Sequence, residues 1–240
     1  HGALSWKAFT IASETYLAVA NYYNKAANSH NIDSVIYKWN GTEFEEFQKI
    51  PTHGAFDWEV VTLGADTYLA VANYYNNTTR NINSVIYKWN GALFVAYQNI
   101  ATNGALDWEA FTIGTDTFLG LSNYSNDSSN NINSKVYRWN GVEFEEHQAL
   151  PTHGAYDMEV FTVGIKTYLA AANYYNGTTY NINSTVYLWN GSTFVEEALL
   201  PTNGAKDFQA FSIDGTLYLA LANGYNGTTR NLNSVIYCPE

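Results

Sequence analysis

One unit recurs five times in 240 residues, and that repetition restricts the chain to few folds. Counted from each Gly-Ala pair, the copies run 1–52, 53–102, 103–152, 153–202 and 203–240, with an interior period of 50 residues. The first copy carries two extra residues in an asparagine-rich segment, and the fifth ends before its fourth apolar run. Each full copy holds four short runs rich in Val, Ile, Tyr, Phe and Trp. In the second copy these are Trp58–Leu63, Thr67–Tyr75, Ser84–Trp89 and Phe94–Ile100. None shows a sustained 3.6-residue stripe, so the runs predict strands rather than helices. Between the third and fourth runs stands Trp-Asn-Gly-x-x-Phe, at Trp39–Phe44, Trp89–Phe94, Trp139–Phe144 and Trp189–Phe194. Asn-Gly accepts the positive φ angles of a tight hairpin, so an antiparallel turn is expected there. Four antiparallel strands per repeat of this length describe a propeller blade. The expected fold is all-β: a five-bladed β-propeller of four-stranded blades, one domain over 1–240, with a three-stranded last blade.

The series Gly-Ala-x-Asp-Trp-Glu, Tyr-Leu-Ala-Val-Ala-Asn, Asn-Ser-Val-Ile-Tyr-Lys-Trp-Asn-Gly and Phe-x-x-x-Gln-x-x-Pro-Thr resembles the epilepsy-associated repeat, also called the EAR or EPTP repeat. The resemblance covers essentially the whole chain. It implies an extracellular β-propeller that recognises ligands and receptors without catalysis, usually built from seven repeats where this chain has five.

Charge narrows the partners. The net charge is −11 with 11 Lys and Arg together, so a phosphate backbone or an anionic membrane surface would be repelled. No apolar run reaches the roughly 20 residues of a membrane span, so no membrane insertion is expected. The chain begins with His rather than Met, as a processed, secreted protein or a trimmed one would. Sequons begin at Asn40, Asn76, Asn77, Asn123, Asn126, Asn176, Asn183, Asn190 and Asn226, as in a glycoprotein, although Asn-Gly turns also generate them.

Strand alternation sorts the connections onto two faces, one of short hairpins and one of longer loops. The longer ones are expected at Pro51–Ala55 and Asn76–Asn83 and their equivalents. Loops held on a rigid scaffold carry function. Candidate ligand-binding residues follow blade by blade. The first gives His1, Tyr23, His30, Asn31 and Asp33; the second His53, Tyr75, Arg80, Asn81 and Asn83. The third gives Asn103, Asn130, Asn131 and Asn133; the fourth His153, Tyr175, Tyr180, Asn181 and Asn183. The fifth gives Asn203, Tyr225, Arg230, Asn231 and Asn233. Amides and aromatic rings suit the hydroxyls and apolar faces of sugars, while Asn is also a turn former. The expected partners are glycans or glycoproteins bound at several equivalent sites. An adhesion or receptor-binding module contacting one protein is the alternative.

Asp57, Asp107, Asp157 and Asp207 open the first strand of their repeats, with Ser5 in the remaining place. They either cap their own turns or ring a channel mouth around calcium; no cofactor is required for folding. Glu59, Glu109 and Glu159 share their strand face, and carboxylate pairs invite a glycosidase reading. Because these groups recur blade after blade, whereas a catalytic centre breaks symmetry, the expectation is that the chain is not an enzyme. The series Trp6, Trp58, Trp108, Met158 and Phe208 accepts any bulky apolar group and is expected in the core. Cys238, the single cysteine, is expected in an intermolecular disulfide, giving a homodimer joined at the fifth-blade edge with Pro239 beside it.

Overall fold

The computed structural model describes residues 2–238. Its strands form five antiparallel sheets, each in simple sequence order. The first comprises β1 (Gly2–Ile11), β2 (Glu14–Tyr23), β3 (Asn31–Trp39) and β4 (Phe44–His53). The second comprises β5 (Ala55–Leu63), β6 (Asp66–Asn73), β7 (Asn81–Trp89) and β8 (Phe94–Asn103). The third holds β9 (Ala105–Ile113), β10 (Asp116–Asn123), β11 (Asn131–Trp139) and β12 (Phe144–His153). The fourth holds β13 (Ala155–Val163), β14 (Lys166–Asn173), β15 (Asn181–Trp189) and β16 (Phe194–Asn203). The fifth has three strands: β17 (Ala205–Ile213), β18 (Thr216–Asn223) and β19 (Val235–Tyr237). These are the blades of an all-β, five-bladed propeller. By compactness the chain divides into two units, residues 1–110 and 111–240, with the division inside β9.

In the first unit, Phe9, Tyr16, Ile36, Ile50, Trp58, Leu69 and Phe94 form one buried cluster between the first two sheets. In the second, Phe111, Phe118, Leu150, Met158 and Phe194 pack the third sheet on the fourth. Phe161, Val186, Phe208 and Leu219 pack the fourth on the fifth. Alternation along each strand supplies one apolar face to the preceding sheet and one to the next, so a lone blade could not bury its surface. A glutamine on the outer strand ties neighbours together. Gln48 donates to the Phe94 carbonyl (2.8 Å) and accepts from the Phe94 amide (2.9 Å). Gln148 holds Phe194 in the same way, at 2.7 and 2.8 Å.

Three expectations change in detail. The predicted Pro51–Ala55 loop is a one-residue corner: β4 runs through His53, and β5 starts at Ala55. Pro51 is tolerated because β4 is the edge of its sheet, where a missing amide leaves no ladder bond broken. Gly54 makes the corner at φ +55°. The Asn-Gly turn stands where expected, between Trp39 and Phe44, but of Asn40 and Gly41 only the glycine has positive φ (101°). The Asn40 side chain braces it, its Oδ1 accepting the amides of Thr42 (2.8 Å) and Glu43 (2.9 Å). Trp6 is not in the core. It is 70% exposed, whereas Trp58 is 1% exposed between two sheets of its unit, and no sheet precedes the first one there.

Candidate functional site

The asparagines of the loop face divide by what their side chains do. Asn76 brackets its own loop, its Oδ1 accepting the amides of Thr78 and Thr79 (3.0 and 2.9 Å); Asn126, Asn176 and Asn226 repeat this. Asn173 is fully buried: its amide accepts from His153 N (2.8 Å) and donates to the Asn183 carbonyl (2.9 Å). Asn123 is likewise buried and donates to the Asn133 carbonyl, so that sequon is closed to a glycan. These groups hold the loops.

In the first unit a cleft of about 440 Å³ opens between the first two blades, lined by Tyr22, Tyr23, Asn28, His30, Tyr75 and Asn77. His30 stands at its centre, with ring centroids 4.8 Å from Tyr22, 4.7 Å from Tyr23 and 5.1 Å from Tyr75. Asn77 Oδ1 accepts the His30 amide (2.7 Å) and lies 3.0 Å from its Nδ1. The carbonyl of His30 accepts the Gly54 amide at 2.6 Å, so the main chain at this position joins loop to corner. Arg80 is the matching residue of the second blade. Its guanidinium lies 5.1 Å from the Tyr74 ring and 5.4 Å from Tyr75, with Nε donating to the Tyr74 hydroxyl (2.9 Å). Asn31 and Asn81 face the other way along their strands. Asn31 Oδ1 lies 2.7 Å from His53 Nδ1, and Asn81 Oδ1 accepts from Asn103 (2.7 Å). Burial lowers the His53 pKa, which favours the neutral ring.

The second unit repeats this chemistry. Asn130 donates to the Tyr124 carbonyl (3.1 Å), and Asn131 Oδ1 lies 2.6 Å from His153 Nδ1. Tyr180 stacks on Tyr175 at 4.4 Å and meets Tyr225 edge-on at 4.7 Å. Arg230 lies over Tyr225 at 5.1 Å. A second cleft, of about 420 Å³, is lined along the edge of the fourth blade by His153, Asn176, Asn181, Asn183 and Glu196 among others. Asp33, Asn83, Asn133, Asn183 and Asn233 are exposed. The main-chain N–H groups of Asn203 and Asn231 donate locally, to Asn223 Oδ1 and Thr229 Oγ1. His1 lies outside the described residues. The sequence reading missed the first tyrosine of each Tyr-Tyr pair (Tyr22, Tyr74, Tyr174) and Asn77. The doublet was the available signal, since both of its rings meet one central side chain, as Tyr22 and Tyr23 do at His30 and Tyr74 and Tyr75 do at Arg80.

The first-strand carboxylates are engaged within the protein. Asp57 Oδ1 accepts from Ser5 Oγ at 2.7 Å, and its carboxylate also takes the amides of Trp58 and Trp108. Asp157 accepts the Phe208 amide (2.8 Å), and Glu159 accepts the Ala210 amide (2.7 Å). Glu59 pairs with Lys7. Burial raises the Asp57 pKa to about 6 and pushes Glu59, Glu159 and Asp207 upward. Among the described residues no three His, Cys, Asp or Glu side chains gather to hold a metal. Cys238 is exposed. No helix among the described residues is long and apolar enough to cross a membrane.

Known proteins place this architecture. The EPTP domain matches five times, over residues 1–40, 43–90, 93–140, 143–190 and 194–237. The chain belongs to the EPTP family. Two curated relatives are the thrombospondin-type laminin G domain and EAR repeat-containing proteins of Homo sapiens and Mus musculus. They are 48% and 44% identical over 81 residues, which is 33% of this chain and 12% of either relative. Among solved structures, the GH43_1 enzyme from Xanthomonas citri with xylotriose matches at TM-score 0.54 and 11% identity, over 92% of this chain and 82% of that one. The Bombyx mori GH32 β-fructofuranosidase matches at 0.54 and 13%, over 91% and 54%. The exo-β-1,3-galactanase of Phanerochaete chrysosporium matches at 0.56 and 11%, over 92% and 56%. At such identity the likeness is one of fold. It corrects one expectation nonetheless: the repetition of the blades does not exclude an enzyme, since these glycosidases share this fold.

Proposed function

We propose that this EPTP protein is a secreted carbohydrate-binding protein that uses repeated clefts on the loop face. The observation that carries the reading is the His30 cleft, in which three tyrosine rings and two asparagines surround the His30 imidazole. Aromatic faces pack the apolar side of a pyranose while amides bond its hydroxyls. The equivalent positions keep the blade's own Tyr-Tyr pair, with Ser125 at the sequence position of the third ring in the Arg80 set, and change the central group to Arg80 or Tyr180, as related sites for one repeating ligand would. A shallow sugar site binds near millimolar, about −4 kcal/mol, and linking sites raises avidity by roughly 10²–10⁴.

A glycan array with the purified chain, followed by titration with the free sugar, tests this. His30→Ala and Tyr180→Ala leave the main-chain bonds to Gly54 and Gly204 in place. Each should weaken retention on a glycan surface about tenfold, read well below the variant's unfolding midpoint, which the lost ring contacts lower modestly. Silence on every glycan together with tight binding to one protein would overturn the reading. Assaying the same mixtures for released reducing sugar shows whether binding leads to cleavage.

A further inference from the structure

The cleft of about 420 Å³ lies well inside the chain: β12 of the third blade supplies Pro151 and His153, and β16 of the fourth is followed by another blade. Part of its lining is the strand pair β15–β16, where Tyr187 opposes Glu196 and Thr185 opposes Leu199. Directly opposed residues share one face of a sheet, so Thr185, Glu196 and Leu199 stand together in the cleft. By repeat position Glu196 corresponds to Glu46, Ala96 and Glu146. The Thr185–Leu199 pair corresponds to Val35–Lys49, Val85–Asn99 and Lys135–Ala149.

In the first blade the carboxylate meets a lysine from its own strand, Lys49 Nζ lying 3.3 Å from Glu46 Oε1. In the third it meets one from the neighbouring strand, Lys135 Nζ lying 2.6 Å from Glu146 Oε2. The second blade has neither the carboxylate nor the lysine. Charge and countercharge thus come and go together in three blades. The fourth keeps the carboxylate and drops the ammonium. Thr185 and Leu199 are uncharged, no Lys or Arg lines the cleft, and Glu196 forms no ion pair among the described residues. The rest of the lining suits a polyol. His153 Nδ1 lies 2.6 Å from Asn131 Oδ1, an acceptor, so the ring proton sits on Nδ1, and Nε2 of the neutral ring accepts. The side-chain amides of Asn181 and Asn183 make no hydrogen bond among the described residues. Ile182 and Leu199 offer apolar surface for the C–H face of a ring.

We propose that this cleft binds an amino sugar with a free, protonated amine, whose ammonium takes at Glu196 the place that a lysine takes at Glu46 and Glu146. The inference rests on the carbohydrate reading and narrows it, for this one cleft, to a cationic saccharide. N-acetylation would remove the charge and with it the reason for the match. The net charge of −11 draws cations to the surface generally, so the test must separate the cleft from the field.

The probes are glucosamine and galactosamine, each beside its N-acetyl and its 2-hydroxyl counterpart, titrated into the full chain while amide chemical shifts are followed by NMR. About pH 7 keeps such amines largely protonated, and about 150 mM salt screens the general field. At least one amine should bind about three- to fivefold more tightly than both of its neutral counterparts, the scale of one exposed ion pair. Glu196→Gln and Leu199→Lys should each erase that preference, the second by restoring the pair seen between Lys49 and Glu46. Both side chains are exposed, so thermal unfolding should move little. Amines and neutral sugars binding alike would overturn the proposal and leave the carbohydrate reading standing. So would a preference that survives Glu196→Gln, or ethanolamine binding as tightly as the amino sugar. Silence of all these sugars would overturn it too, and the glycan array then shows whether the wider reading falls with it.

Discussion

Two glycines flanking one strand separate backbone strain from lack of space. Gly154 forms the corner between β12 and β13 at φ +53°, and Gly164 forms the β13–β14 hairpin at φ +61°. A Cβ on Gly164 meets no atom within 4 Å, whereas one on Gly154 would lie 2.6 Å from the Tyr175 carbonyl oxygen. Alanine at either site takes on a left-handed conformation, costing about 1–2 kcal/mol. Only Gly154→Ala must also displace main chain, at roughly 1–3 kcal/mol for overpacking. It further weakens the 2.6 Å bond from the Gly154 amide to the Asn130 carbonyl, worth about 1 kcal/mol. Gly164→Ala should therefore lose about 1–2 kcal/mol and Gly154→Ala about 3–5. Urea unfolding followed by tyrosine and tryptophan emission reads the difference, provided the two variants share one m value. Equal losses would show that the corner yields freely and that the close carbonyl imposes no requirement for glycine.

Gln148→Ala removes both bonds to the Phe194 main chain and should cost about 2–3 kcal/mol in the same assay. A loss below about 0.5 would deny the clamp a role. Asn173→Asp sets a buried carboxylate against the Asn183 carbonyl in place of a donor, so about 3 kcal/mol or more should go, and an unchanged midpoint would refute the buried bond. Asp57 gives a pH dependence. Burial raises its folded pKa from 3.8 to about 6, so the fold favours the neutral acid. That contribution is fully present below about pH 4 and is lost as pH rises through about 6, by at most about 3 kcal/mol for a rise from 3.8 to about 6. Asp57→Asn should flatten this slope between pH 4 and 6; a slope that persists would assign it to another group.

The strands were legible because their signals are local. Val, Ile and aromatic runs at the same offsets in each repeat, punctuated by Asn-Gly, fixed their number and order. What was misread depends on neighbours. Pro51 looks like a loop residue until the sheet order makes β4 an edge. Trp6 matches Trp58 by repeat position, yet its burial depends on a preceding sheet that its unit lacks. The Gln48 and Gln148 clamps carry no local signal, since their partners lie 46 residues away.

The loop face shows why repetition both hides and exposes a site. Asn73, Asn123 and Asn173 never vary because the side chain itself makes the structural bonds; each donates to a carbonyl 10 residues on. At His30, Arg80, Asn130 and Tyr180 the structural duty falls on the carbonyl, which accepts the amide of Gly54, Gly104, Gly154 or Gly204 at 2.6–2.7 Å. Any side chain can satisfy that bond, so the position is free to change while the loop stays put. Packing cannot account for a histidine, an arginine, an amide and a phenol at one place, each directed among tyrosines or onto a tyrosine carbonyl. Under the proposed carbohydrate reading, variation confined to a position whose main chain does the structural work is therefore the better guide to ligand contact, and the invariant asparagines are the better guide to the loop's own architecture.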